Sequence, residues 1–394
     1  MTSSRRSFVV VGAGIAGLAA AAALQRRGHS VRVLEERADT APGAGISIWP
    51  NALAALDEIG LGDDVRAAGG RITAGALRWH DGSWLRRPSA QRIVRALGEP
   101  LVVIQRAALR DVLTAALAPD TVSYGVAVTA VDQAAGPPVS LTTSHGTRVT
   151  ADAVIGADGV NSVVARHLNG PLPARFAGYT AWRGVAAYSL DPALAGETLG
   201  AGTEVGHVPL GSDSTYWFAT ERAPEGHRAP GGELAYLQAK FARWADPVPA
   251  VLAATDPRDV LRNDLYDRAV AGRWADGSVV LIGDAAHPMR PHLGQGGCQG
   301  LEDAAILAHL IDLQLAEGAE PAAAFARFAA FRRPRLRTLV RESKLIGQVV
   351  NLRPAVLSAA AGRATALVPE AVLTRHLAGI AAGSAFRLPG SGRR

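Results

Sequence analysis

Gly12, Gly14 and Gly17 stand in G-x-G-x-x-G spacing where a β-branched run, Phe8 to Gly12, meets an alanine-rich helical stretch, Ile15 to Gly28. A second apolar run, Ser30 to Leu34, ends on Glu35 about 20 residues downstream, which completes a strand–helix–strand unit. This unit commits the start of the chain to a parallel α/β layer. Gly12 permits the tight turn, Gly14 lets a pyrophosphate approach the backbone and Gly17 allows close helix–strand packing. Ile15 and Ala16 carry early amides of a helix whose N-terminus favours negative charge. Glu35 is placed to accept hydrogen bonds from adenosine ribose hydroxyls, and its carboxylate disfavours a 2′-phosphate. The motif alone leaves NAD and FAD both open.

At 394 residues, 48% hydrophobic and 19% charged, the chain is too long for one compact core and too apolar for disorder. All but Lys240 and Lys344 of its 41 basic residues are arginine, scattered in short pairs without the aromatic interleaving of a nucleic-acid groove. Nucleic acid is therefore not an expected partner. The single cysteine, Cys298, excludes an intramolecular disulfide framework and a cysteine-rich metal site, and a reducing cytoplasm is the expected compartment. Ser4 to Phe8 resembles a twin-arginine export signal, yet cleavage behind it would remove the glycine fingerprint, so neither export nor stable membrane insertion is expected.

Two further strands end in acidic turns. Val154 to Ala157 precedes Asp158-Gly159, and Val279 to Ile282 precedes Gly283-Asp284-Ala285-Ala286-His287-Pro288. Ligands in open parallel sheets sit beyond the carboxyl ends of strands, where an Asp can meet a polyol hydroxyl. With Pro291, Gly294-Gln295-Gly296 and Glu302-Asp303-Ala304 following, the chain resembles the FAD-dependent aromatic hydroxylases, single-component flavoprotein monooxygenases of the p-hydroxybenzoate hydroxylase type. The resemblance runs from about Phe8 to Leu345. It implies non-covalent FAD, with Asp284 on the ribityl chain and Pro291, Gly294, Gly296 and Gly297 laying backbone near the flavin N1 edge. It also implies that Arg106 reaches the phosphate or ribityl region, that Val128 backs the adenine, and that Asp158 and Gly45 join the cofactor site. One departure stands out, since the family arginine three residues after Ser162 is here Ala165, followed by Arg166.

Between Leu168 and Trp274 short alternating runs rich in Tyr, Trp and Thr predict antiparallel strands. The expected fold is thus a Rossmann-like FAD-binding domain assembled from 1–70, 100–168 and 272–320. An antiparallel-sheet substrate domain (71–99 and 169–271) is inserted, and a C-terminal helical region (321–394) follows. Trp182-Arg183-Gly184 resembles the salicylate- and urate-hydroxylase subgroup, with Arg183 a candidate for an anionic substrate. Tyr216 is a candidate for binding or deprotonating a phenol, although alternation leaves open which way either side chain faces. His207 and His292 are weaker candidates.

No metal spacing and no G-x-S-x-G elbow occurs, so the chemistry falls to the cofactor. The resemblance implies that NADH or NADPH reduces FAD and that O2 adds at flavin C4a. One oxygen then passes from the hydroperoxide to an aromatic or heteroaromatic ring. The Gly43 to Ile46 loop is expected to let the flavin swing outward. Epoxidation of a non-aromatic substrate, an NAD-dependent dehydrogenase, a halogenase and a non-enzymatic flavin sensor are the alternatives, and a monomer and a homodimer are both open. The first lysine, Lys240, comes too late for the halogenase pattern.

Overall fold

The computed structural model describes residues 5–38, 45–73, 75–133 and 137–390. Its first layer is a six-stranded sheet in the order Ala275–Asp276, Val279–Leu281, Ala153–Gly156, Ser7–Val11, Ser30–Leu34, Val122–Ser123. Every pairing is parallel except the edge hairpin of Ala275–Asp276 with Val279–Leu281. The inner strands read as valine and isoleucine runs because parallel strands are covered on both faces. Val10, Val33, Val154, Ile155 and Val280 are completely buried.

Helix Ile15–Arg26 lies between this sheet and helix Gly296–Ala316, and its alanines are what let it fit there. A Cβ built on Gly300 would sit 3.0 Å from the Ala16 Cβ, so larger side chains at this seam would force the helices apart. A small sheet of Gly45–Ile48, Leu101–Gln105 and Gly70–Ile72 caps one end of the layer.

The second layer is a seven-stranded sheet built mainly from the middle of the chain, joined by Ala76–Trp79 and Trp84–Arg86. Strands Ala174–Ala186, Thr203–Pro209 and Thr215–Glu221 pair antiparallel in a register that fixes the two faces. One cross-strand row runs Arg183, Phe218, Gly206, Glu197, and the next along holds Ala181, Thr220, Glu204, Leu199. Trp182, Trp217 and Ala219 alternate to the opposite face, where they pack on Leu237, Phe241 and Val251. Gly184 is small because the Trp217 ring would lie 2.8 Å from a Cβ there.

The C-terminal region is helical, with Pro321–Val350, Ala355–Ala364 and Glu370–Ala381. No single helix among the described residues is long and apolar enough to cross a membrane.

Candidate active site

Register brings the three turns together. Val11, Gly156 and Leu281 are partners across adjacent parallel strands, so the segments that follow them leave the sheet side by side. Gly12 takes a left-handed φ of +101°, and a Cβ there would lie 2.6 Å from the Ala157 carbonyl oxygen. A Cβ on Gly17 would lie 2.0 Å from the Gly12 oxygen. These two glycines are demanded by the protein's own packing. Gly14 differs, because its φ of −72° suits any residue and a Cβ there meets nothing within 4 Å. The space beside Gly14 belongs to a cavity of about 1500 Å³ that runs from Glu35 and Arg37 past the three turns to the inner face of the second sheet.

Each acid in this row has a different environment. Glu35 accepts the amides of Ala13 at 2.7 Å and Arg37 at 3.0 Å, which fixes its carboxylate at the cavity edge. Asp158 accepts from the Ser162 hydroxyl and from the Val163 amide at 2.7 Å, while Ser162 in turn caps Val163–Asn169. Burial raises the Asp158 carboxyl above the usual range. Its side chain thus chiefly organises the turn. The Asp284 side chain is exposed to the cavity and has no hydrogen-bond partner among the described residues. Its backbone is pinned by Arg268, which donates to the Asp284 and Ala285 carbonyls at 2.6 and 2.7 Å.

Pro291 opens a single 3-10 turn that Gly294 closes with a left-handed φ of +61°, and Gly296 begins the long helix. The first amides of a helix lack intrahelical acceptors, and Gly296 and Gly297, which carry two of them, line the cavity. The buried indole N–H of Trp49, beside Gly294, also has no partner among the described residues. Arg106 starts helix Arg106–Ala115 at the cavity wall, where burial lowers its guanidinium pKa and Asp284 opposes that shift. Val128 opens strand Val128–Asp132 and lines the cavity near Glu35.

The glycine loop is held by a buried polar network that sequence spacing did not reveal. Gln295 accepts from Asn51 at 3.0 Å and from Gln299 at 2.9 Å. Asn51 and Gln299 also donate to Glu302, at 2.6 and 3.1 Å. Arg332, 2% exposed, pairs with Glu302 and with Asp303 at 2.7 Å, and Asp303 also meets His287. Burial alone would raise the Asp303 carboxyl, but His287 and Arg332 hold it below the usual range. Glu302 and Asp303 thus lie about two turns into helix Gly296–Ala316 and hold it to helix Pro321–Val350 through Arg332.

Arg183 and Tyr216 both face the cavity, which settles the direction that alternation left open. Burial raises the Tyr216 hydroxyl pKa, with Arg183 and Arg106 opposing, which favours the neutral phenol. Gly45 and Ile46 belong to a paired strand instead of a free loop, and a Cβ on Gly45 would lie 2.6 Å from the Tyr216 ring. Gly43 and Ala44 lie outside the described residues. His207 is turned away, 1% exposed beneath Thr198, and burial pushes its pKa down to about 4. His292 does reach the cavity and pairs with Glu204 at 3.2 Å. Glu197, Glu204 and Tyr179 went unrecognised because only cross-strand pairing puts them near the site. Cys298 is completely buried, and burial pushes its thiol up to about 12. Among the described residues no His, Cys, Asp and Glu group is arranged to hold a metal.

Known proteins are similar to this chain in sequence and in fold. A family model described as "FAD binding domain" matches residues 6–343. The aurachin C monooxygenase/isomerase of Stigmatella aurantiaca is 37% identical over 348 residues, 87% of this chain and 89% of its own. The 3-amino-4-hydroxybenzoate 2-monooxygenase of Streptomyces cremeus is 38% identical over 354 residues, 88% of each. Among solved structures, Klebsiella pneumoniae HpxO complexed with FAD and uric acid superposes with a TM-score of 0.87 at 28% identity, covering 95% of this chain and 96% of that one. With the fingerprint, the two acidic turns and the glycine loop all inside residues 6–343, the chain belongs to the FAD-binding domain family.

Proposed function

We propose that the chain is an FAD-dependent monooxygenase that consumes NADH or NADPH and inserts one oxygen atom from O2 into an aromatic or heteroaromatic small molecule. The observation that carries this reading is the continuity of one cavity from the glycine fingerprint to an aromatic and cationic sheet face. A nucleotide site alone would not need that second wall.

The residues present fit FAD. Gly14 leaves backbone open where a pyrophosphate would approach, with the early amides of helix Ile15–Arg26 behind it. Glu35 and Val128 would hold the adenosine end, and Asp284, whose carboxylate faces the cavity, would take ribityl hydroxyls, with Arg106 close by. Pro291, Gly294, Gly296 and Gly297 would present amides and the positive end of helix Gly296–Ala316 to an anionic edge. Bound FAD supplies two-electron chemistry with a nicotinamide and activation of O2. The protein's share is to seat the ring and exclude water. Arg183 would attract negative charge on the substrate, and Tyr216, kept protonated by burial, would donate a hydrogen bond to a ring oxygen.

The test is the visible spectrum of the purified protein together with NADH and NADPH consumption against phenols, indoles and heteroaromatic acids. A yellow protein whose nicotinamide oxidation rises with an aromatic compound and yields oxygenated product is the expected result. A colourless protein, or a yellow one that no aromatic stimulates, overturns the reading.

A further inference from the structure

We infer that the far end of the cavity, where Glu197 and Glu204 share the inner face of the second sheet, is the seat of a positively charged amine carried by the aromatic substrate. This rests on the monooxygenase reading and narrows its substrate class.

The placement follows from register. Leu199 is paired with Glu204, and Glu197 with Gly206, so the two carboxyls stand diagonally on neighbouring strands and face the same cavity. Such diagonal neighbours are about 7–8 Å apart, close enough for one small cation to serve both. Gly206 offers no side chain opposite Glu197, and the Phe218 ring fills that place, with its nearest carbon 2.1 Å from where a Cβ would stand. An aromatic ring beside two carboxyls is an environment that suits an ammonium group.

Glu204 is fixed from the protein side. It accepts the Thr220 hydroxyl at 2.9 Å and lies 3.2 Å from the His292 Nδ1, while the Tyr179 hydroxyl shares a 2.9 Å hydrogen bond with the other ring nitrogen. Glu197 has no hydrogen-bond or ion-pair partner among the described residues. Arg86, which lines the same end, is committed to the backbone carbonyls of Thr365 and Val368. Burial and the neighbouring Glu204 hold the Glu197 carboxyl above the ordinary carboxylate range, and an incoming cation would relieve both effects. Leaving a carboxyl without a partner is costly for folding alone, whereas in a ligand cavity it is a ready acceptor.

The spacing also constrains the ligand. Arg183 and Glu197 lie in one row separated by three strand intervals, about 14 Å between backbones. A ring held near Arg183 and Tyr216 therefore reaches Glu197 through a short flexible arm that ends in the amine, lying over Phe218.

The experiment uses the FAD-saturated protein and ω-(4-hydroxyphenyl)alkylamines with arms of two to six carbons, beside the alcohols and carboxylates of equal length, with affinity read by titration calorimetry. The expected result is that at least one amine binds ten-fold or more tightly than its alcohol, with the carboxylate weakest. Glu197→Gln should reduce that preference to less than three-fold, and Glu197→Lys should invert it toward the carboxylate. FAD content and melting temperature show whether each variant has folded, and Glu204→Gln is the second variant if either has not. Equal binding of amine and alcohol, a preference untouched by both Gln variants, or no binding by any amine overturns the inference. An amine that binds with the expected preference but never stimulates nicotinamide oxidation leaves the seat intact and counts against the monooxygenase reading instead.

Discussion

Replacing Arg332 by Met removes the cation at the centre of the buried network while nearly preserving volume. Arg332 is 2% exposed and engages Glu302, Asp303 and Gln299 together. Breaking a buried ion pair from one side costs about 3–5 kcal/mol, because the partner charge stays buried without compensation. Here the loss falls near the lower limit. Asp303 keeps His287 and the Gly283 amide at 2.9 Å, and Glu302 keeps Asn51, Gln299 and a longer contact to Arg335 at 3.6 Å. A loss of about 3 kcal/mol corresponds to roughly a hundred-fold change in the unfolding equilibrium. Because Glu302 positions Asn51 and Gln299, which position Gln295, FAD retention should weaken alongside stability. Urea unfolding followed by tryptophan fluorescence, paired with FAD affinity from flavin fluorescence quenching, measures both. Arg332→Met/Glu302→Gln should recover part of the loss. A single variant within about 1 kcal/mol of wild type, or one whose FAD affinity is unchanged despite the expected destabilisation, would refute the coupling between network and loop.

Gly14→Val should fold with near wild-type stability, since its Cβ meets nothing, yet lose at least ten-fold in FAD affinity; equal affinity by equilibrium dialysis would remove Gly14 from the site. Gly45→Ala pushes a methyl group into the Tyr216 ring and should alter substrate affinity more than FAD content, as calorimetry on the FAD-saturated protein can decide. The raised Glu197 carboxyl stabilises the fold only while protonated, so its contribution is full below the ordinary glutamate range and is lost as pH climbs through the raised value. Glu197→Gln should accordingly raise the melting temperature more at pH 9 than at pH 5, with Glu204 and His292 the ionisable neighbours held constant; an equal gain at both contradicts the assignment. Cys298 should resist thiol reagents at neutral pH until the chain unfolds, a difference that mass spectrometry detects directly.

The parts of this molecule that could be read from residues are those written locally. The strand–turn–helix around Gly12 to Gly17 and helix Pro321–Val350 announce themselves through spacing within a few turns of chain. What stayed hidden depends on pairings between distant segments. Whether Arg183 and Tyr216 faced inward needed the register of Val185 against Tyr216, and Glu197 and Glu204 became neighbours only through the offset of two strands. Glu302 and Asp303 look like dipole-friendly residues at a helix start until Arg332, nearly thirty positions on, supplies their counter-charge. The same holds for Gly45, whose small size suggested a pliable loop and instead admits an aromatic ring.

The wall closing the Glu197 end of the cavity includes Ile346, Val349, Ser358 and Gly362, all beyond residue 343, where the family match stops. That end of the pocket is thus shared between residues inside the matched span, Glu197 and Glu204 among them, and residues beyond it. Replacing Ile346, Val349, Ser358 or Gly362 should therefore change what that end of the pocket admits while leaving the glycine fingerprint, the acidic turns and the glycine loop untouched.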